Sequence, residues 1–411
     1  MKYLSFSKTV SETQFLSKRY RQGQLWRALF LLATLIGILA LATLLVTVIN
    51  QSIGYVAIDN SVEPSTLSDK PLKDLDQSEL IALIEKNLSK ARVRQLNAEK
   101  LLTDQSTEEL YSLVMDRIVD PVIVANWFLF DSILNKAEIE AKVASEFPNA
   151  KLEFKFWLNK DFLTQAMSSR AELAGVGSAL IGSLMLILFT MLIAFPIGVG
   201  GAVYLEEYSN QKSRLQQIIQ INIDNLAGVP SIVYGILGLA IFVRTMAFFT
   251  SGQFLGVNAE NGRTILSGSL TMAALILPVI IINAQEAIRA VPNSLRQASY
   301  GLGATQWQTI WYHVIPVALP GIFTGTILAM SRAMGETAPL IVVGASTYLS
   351  QDPSGPFSMF TALPIQIYNW TTRPQDQFRS IAAAAILVLL IALLSLNAIA
   401  IFLRNRYTKK L

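Results

Sequence analysis

Gln297-Ala298-Ser299-Tyr300-Gly301-Leu302-Gly303 runs on through Trp307, Trp311 and Tyr312 to Ile315-Pro316, and very apolar sequence flanks it on both sides. Upstream, Glu286–Val291 is helical in type, and Pro292 with Asn293 breaks that helix. Ser294 is placed to cap a second helix, and Gly301 or Gly303 permits a sharp turn. Thr305–Val314 reads as a further short helix carrying Trp307, Ile310 and Trp311, with Pro316 and Pro320 ending it before the next apolar run. A helix–glycine–helix segment between two apolar stretches is an elbow at a membrane surface. Two readings stand for it. One is a plug that fits a groove on another protein. The other is an interfacial helix anchored at the headgroups by Trp307, Trp311 and Tyr312.

Composition supports the membrane setting. Of 411 residues, 52% are hydrophobic and 15% charged, with a mean hydropathy of +0.44, against about 25% charge in soluble domains. The charges are concentrated. Residues 51–174 carry 14 Lys/Arg and 20 Asp/Glu, 34 of the chain's 62 charges. The remainder holds six apolar runs long enough to span a bilayer: Leu25–Ile49, Gly177–Tyr204, Ile219–Val243, Ile265–Ala284, Leu319–Ala345 and Ile381–Phe402. The first is too long for a signal-peptide core and lacks a cleavage site. With the N-terminus inside, inner segments carry 14 Lys/Arg, from Lys2 and Lys8 through Lys212, Arg214, Arg289 and Arg296 to Lys409 and Lys410. The short outer loops carry 4: Arg244, Arg263, Arg373 and Arg379. This bias places both termini in the cytoplasm. The organisation expected is a cytoplasmic N-terminus (1–24), a first span (25–49), an extracytoplasmic insertion (50–174), a five-span core (175–404) with an inner loop at 285–318, and a cytoplasmic tail (405–411).

The insertion reads as α+β. Leu80, Ile81, Leu83, Ile84 and Leu88 recur at helical spacing. Ser106-Thr107-Glu108-Glu109 is a capping box, and Asp120-Pro121 stops the helix that follows it. Val122–Phe130 and the alternating Leu152–Leu158 read as strands. No catalytic constellation occurs there, which leaves a structural or docking module.

Several function classes lack their residues. There is no cysteine, and the one histidine, His313, makes no metal cluster. No G-x-x-x-x-G-K-[ST], G-x-S-x-G or H-E-x-x-H occurs. Gly198-Val199-Gly200-Gly201 and Gly301-Leu302-Gly303 lack the lysine and hydroxyl of a phosphate loop. The net charge of +4 comes from basic residues beside the spans, which act as topology signals and make no nucleic-acid patch. Any energy input has to come from a partner.

The elbow resembles the E-A-A-x3-G-x9-I-x-L-P loop of ABC-importer permeases. Aligned on Gly303, the motif falls on Gln297, Ala298, Ser299, Gly303, His313, Ile315 and Pro316. Gln297 stands where the family has an acid, His313 where it has isoleucine and Ile315 where it has leucine. Asn225–Gly235, Glu286–Arg296 and Arg332-Ala333-Met334-Gly335-Glu336-Thr337-Ala338-Pro339 are similar to signatures of PstA-type phosphate permeases, and together cover most of 177–402. The resemblance implies an all-α polytopic membrane protein of six transmembrane helices, the type I ABC importer (MetI-like) fold, in the bacterial inner membrane. It implies a second, PstC-like permease subunit, two PstB-like ATPase subunits that bind ATP and Mg, and a periplasmic phosphate-binding protein, with no cofactor in this chain. It makes Gln297, Ala298, Ser299, Gly301, Gly303, Trp307 and Pro316 the residues that couple to the ATPase, and Arg332, Glu336 and Thr337 the substrate path. The 50–174 insertion is atypical of the family core.

Arg332 and Glu336 fall in the middle of the fifth run, four residues apart and therefore on one helix face. A charge at the bilayer centre costs about 2.5–3.5 kcal/mol, so each needs a partner or a watery cavity. Either Arg332 lines an anion path with Glu336 holding it, or the two form a buried ion pair that fixes helix register. Gly321, Gly325, Ala329 and Ala333 make a small-residue stripe that admits a neighbouring helix. Arg244 and Arg263 are possible outer contacts or plain boundary markers. Asp224 and Asn225 are placed to cap the third span, Pro230 to kink it, and segment 346–379 to re-enter partly. Glu206, Glu207, Lys212 and Arg214 form a solvated inner connector. Rival functions are a permease for another oxyanion or small solute, and a membrane-anchored sensor using the outer domain.

Overall fold

The computed structural model describes residues 6–68, 70–99, 101–168, 170–209, 213–257, 262–345, 349 and 352–408. Lys2, Lys212, Lys409 and Lys410 and part of 346–379 lie outside the described residues.

Helix α1 (Phe6–Gln51) is continuous, and the apolar side chains of its expected span, among them Leu29, Ile36 and Leu41, are exposed. A helix apolar all round and left largely exposed by its own chain belongs in lipid or against a partner. The chain then turns into β1 (Ile53–Asn60). A helical lobe follows: α2 (Gln77–Asn87), α3 (Lys90–Glu99) and α4 (Thr107–Val114). Reciprocal capping boxes start two of its helices, Asp76 with Glu79 at α2 and Ser106 with Glu109 at α4. Leu80, Ile84, Leu110, Val114 and Val119 close a core separate from the rest. Asp120, at φ +50, ends the lobe.

Next come β2 (Pro121–Asn126), α5 (Leu129–Leu134), α6 (Lys136–Glu146) and β3 (Lys151–Phe156). The expected strand at 122–130 is thus shorter, because its second half becomes α5. The sheet order is β2-β1-β3, antiparallel throughout, with Asn60 opposite Pro121 and Ile53 opposite Phe156. The helical lobe is therefore a long excursion at the tip of the β1–β2 hairpin. One sheet face, with Val56 and Ile123, packs with Trp157, Trp370, Phe378 and Ile381. The other, with Ala57, packs on Ile139 and Val143 of α6.

The remaining helices are α7 (Gly177–Tyr208, ending in a π-helical turn), α8 (Arg214–Ala227), α9 (Ser231–Thr245), α10 (Ile265–Arg289), α11 (Asn293–Gly301), α12 (Gln306–Gly335), α13 (Ala338–Val343), α14 (Leu363–Thr371) and α15 (Asp376–Thr408). Among the described residues, five helices are long and apolar enough to cross a membrane, or six if the bent pair α8 and α9 makes one span. At that pair the kink expected from Pro230 is a sharp one: the run bends by 104° at Gly228–Pro230. Pro230 has no N–H to donate and precedes α9, so the ladder stops there. Asp224 and Asn225 sit in the last turn of α8 and cap nothing; Asp224 accepts from Gln220.

The most enclosed span is α10. The small-residue stripe of α12 lies against it: a Cβ at Gly325 would come 2.2 Å from Asn283 Cβ, and one at Gly321 2.7 Å from Ala287 Cβ. Ala329 and Ala333 are buried on the same stripe. On the other side, a Cβ at Gly198 of α7 would come 2.6 Å from Ile280. Close approach in lipid depends on such small residues, since apolar side chains gain little by leaving acyl chains for one another.

Candidate functional site

The fifth run is also broken. Helix α12 ends at Gly335, Glu336 adopts extended angles (φ −75°, ψ 120°), and α13 begins after Thr337. Arg332 and Glu336 therefore lie at a helix end and not in the middle of a span. Gly335, Pro339 and the turn between them explain why: proline fixes the start of α13 and glycine ends α12 cheaply. The two residues meet as expected, Arg332 Nε donating to Glu336 Oε1 at 3.3 Å. The Arg332 side chain remains 43% exposed and that of Glu336 20%. Among the described residues, Glu336 is the only hydrogen-bond partner of the guanidinium.

The two broken spans cross. A Cβ at Gly235 in α9 would come 2.7 Å from Pro339 Cα in α13, so the halves touch through glycine. Tyr234 Oη donates to Leu226 O across the bend of the third span, at 2.8 Å, and lies within electrostatic reach of Arg332. The charged pair, Thr337 and both chain breaks thus gather in one place. A guanidinium left facing acyl chains is costly, the more so toward the bilayer centre. It needs a watery path or another subunit. Its fork of donors suits an oxyanion.

At the other end of α10 the elbow is built as a tight corner. Pro292 precedes α11, and Ser294 lies inside that helix, not at its cap. Gly301 is the last residue of α11 and makes no special turn; Gly303, at φ +82, makes it. Thr305 then caps α12 reciprocally with Gln308. Pro316 and Pro320 do not end this helix. They lie within it, after a π-helical turn at Ile310–Val314 that absorbs the displaced ladder. Across the corner, the Ser299 and Thr309 hydroxyls share a buried hydrogen bond of 2.8 Å.

The elbow is clamped to the end of α7 by residues that sequence reasoning missed. Glu206 and Glu207 are no solvated connector: their side chains are 4% and 7% exposed. Arg289 binds Glu206 at 2.6 Å, and Arg296 binds Glu207 at 2.6 Å. Arg296 also donates to the carbonyls of Val291 and Ile288. Gln306 donates to the Glu207 carbonyl. Glu206, Glu207, Arg289 and Arg296 line a cavity of about 530 Å³. The only available signal was a pair of acids on an inner connector and a pair of arginines seven apart on the loop.

Outside the clamp, the elbow presents apolar side chains. Leu302 is 90% exposed, Tyr300, Trp307, Trp311 and Tyr312 are exposed as well, and the Trp307 and Trp311 rings stack at 5.5 Å. Gln297, Ala298 and Gly301 are exposed, Ser299 is buried and Pro316 half-buried. Arg244 and Arg263 are exposed, and Arg263 lies against Gly344, where a Cβ would come 2.7 Å from its side chain.

Residues 194–410 match the sequence profile of a family described as binding-protein-dependent transport system inner membrane component. A probable ABC transporter permease protein of Bacillus subtilis, YqgI, is 33% identical, over 62% of this chain and 86% of the relative. The phosphate transport system permease protein PstA 1 of Mycobacterium tuberculosis (strain H37Rv) is 35% identical, over 54% of this chain and 68% of the relative. Among solved structures, an inward-facing form of the MetNI methionine ABC transporter is similar at 18% identity, covering 57% of this chain and 94% of that one, with a TM-score of 0.37.

Proposed function

Because the chain belongs to the family of binding-protein-dependent transport system inner membrane components, we propose that it is the membrane permease subunit of an ABC importer that carries inorganic phosphate. The observation that carries the substrate side is the Arg332–Glu336 pair at the crossing of two broken spans. Its guanidinium has one protein partner among the described residues, is 43% exposed, and is tethered at 3.3 Å. Such a group can bond two oxygens of a tetrahedral anion at once. Glu336 keeps the empty site near neutral and holds the fork in place. Thr337, at the same break, offers a hydroxyl beside it.

The remaining parts of the machine follow from this reading. A binding protein delivers the anion on the outer side, and a second permease subunit, similar or identical, completes the path. Two ATPase subunits bind Mg and ATP on the cytoplasmic side, and both termini of this chain face the cytoplasm. ATP binding draws the ATPases together. Their movement reaches the bundle through the elbow: Tyr300, Leu302 and Trp307 fill the groove on the motor, Gly303 shapes the corner, and the Glu206/Glu207 clamp passes the push to α7 and α10. Hydrolysis then resets the transporter. This chain contributes the path and the lever, and the partner contributes the chemistry. Arg244 and Arg263 serve the outer face, as a binding-protein contact or an entry for the anion.

The test is uptake of labelled phosphate into liposomes holding the complete transporter. Arg332→Gln lowers uptake at limiting phosphate by about 10- to 100-fold while the protein stays inserted and assembled. Excess unlabelled phosphate competes and excess sulfate does not. Wild-type uptake by Arg332→Gln overturns the pathway role, and equal competition by sulfate moves the assignment to oxyanions generally.

A further inference from the structure

We propose that α5 and the adjoining end of β3 rest on the lipid leaflet at which α1 leaves the bilayer, so that the insertion is anchored to the membrane surface as well as to the bundle. The six-residue α5 buries Ser132 at 2% exposure, where its hydroxyl accepts the Tyr55 N–H at 2.9 Å, and exposes Asp131. Its large apolar residues point away from the protein: Phe130 is 50%, Ile133 65% and Leu134 78% exposed. Phe156, opposite Ile53 at the start of β1, is 45% exposed, and Phe154, edge-on to Tyr55, 54%. A soluble domain rarely leaves such a patch in water.

What covers the patch is set by its position. The Phe130 N–H donates to Asn50 Oδ1 at 2.8 Å, and Asn50 directly follows Ile49, the last apolar residue of the α1 span. Most of the span's apolar side chains are exposed, Ile49 among them, while Val48 is buried. The exposed apolar surface of α1 therefore leads, past Asn50, to Phe130, Ile133 and Leu134, with Asp131 the exposed charged residue among them. Aromatic and aliphatic side chains at that level belong at the headgroup–acyl boundary. The inference rests on α1 spanning a membrane and not on phosphate as the cargo, so a different solute would leave the test unchanged.

The chain has no cysteine, so single cysteines report cleanly. Ile133→Cys and Leu134→Cys are labelled with an environment-sensitive fluorophore in the full-length chain, alone in vesicles with or without brominated acyl chains. Ala144→Cys, on the exposed side of α6, is the control. At 133 and 134 we expect a blue-shifted emission that brominated lipid quenches, with neither effect at 144. Quenching at 133 and 134 no greater than at 144 overturns the proposal. So does a blue shift that appears only when partner subunits are added, which would make the patch a protein dock. The substitutions are on exposed positions and leave the Tyr55–Ser132 bond intact; if either elutes aggregated, Phe156→Cys reads the same patch from the strand.

Discussion

Arg296–Glu207 and Arg332–Glu336 are the same chemical pair in two different settings. At the elbow, the pair closes at 2.6 Å with side chains 15% and 7% exposed, and the guanidinium spends further donors on the Val291 and Ile288 carbonyls. At the crossing of the broken spans, the pair is looser at 3.3 Å, with side chains 43% and 20% exposed and no second acceptor among the described residues. The first arginine has most of its donors engaged, and its work is to hold a corner. The second keeps donors free, which is what a residue meeting a transient anion requires. An i,i+4 pair open to solvent contributes only about 0.3–0.5 kcal/mol, so fold stability is a weak reason to keep charges there.

The sharpest way to break the contrast is to remove one acid from each pair. Glu207→Ala leaves Arg296 buried without its counter-charge, and losing one partner of a buried pair costs about 3–5 kcal/mol. The elbow should then open, seen as new proteolytic cleavage near residues 289–306 and loss of ATPase assembly. Glu336→Ala should leave the thermal unfolding of the detergent-solubilised chain nearly unchanged and impair uptake instead. Equal destabilisation by both variants would erase the distinction.

Next in size is the arginine itself. Each hydrogen bond to a charged group is worth about 1.5–3 kcal/mol, so Arg332→Gln should weaken phosphate affinity by about 10- to 100-fold. Arg332→Lys should recover part of it, because the charge returns without the fork. Concentration-dependent uptake measures both. Full recovery by lysine would mean that charge alone serves the anion.

A smaller effect separates the two elbow glycines. Gly303 has φ +82 and open space around a would-be Cβ, so alanine there meets only backbone strain, about 1–2 kcal/mol. Gly301 is helical and equally open, so Gly301→Ala should be neutral or stabilising by hydrogen exchange at the elbow. Equal costs would show that the corner does not depend on the left-handed residue.

What the sequence revealed follows from how local each signal was. The capping box at Ser106, the stop at Asp120-Pro121, the stripe from Gly321 to Ala333 and the i,i+4 contact of Arg332 with Glu336 are short-range patterns, and the structure contains each. The breaks within the third and fifth runs were harder, because hydropathy measures length and not continuity. Pro230 was a visible warning, and so was Gly335 with Pro339 four residues on, each set inside an otherwise apolar run. The strand β1 was hidden by its position directly after a span, and Glu206 and Glu207 by partners 83 and 89 residues away. Proline misled in the opposite direction at Pro316 and Pro320, where a π-helical turn keeps the helix continuous.

The least costly change asks whether the elbow docks by charge as well as by shape. Gln297 is exposed on α11, at the position where the family pattern has an acid, while Ala298, Gly303 and Pro316 keep the pattern. Gln297→Glu should alter fold stability by no more than about 0.5 kcal/mol, as expected of a surface position. If a basic groove on the ATPase receives α11, the new carboxylate should tighten assembly by about 0.5–1 kcal/mol, and salt should remove the gain, since exposed charges are screened beyond about 10 Å at 0.1 M. The measurement is ATPase binding to the reconstituted permease across ionic strengths. A gain that persists at high salt would point to a new hydrogen bond within a closed interface. No gain at any salt would assign docking to the apolar ridge of Tyr300, Leu302 and Trp307, and make the missing acid of this elbow a neutral departure.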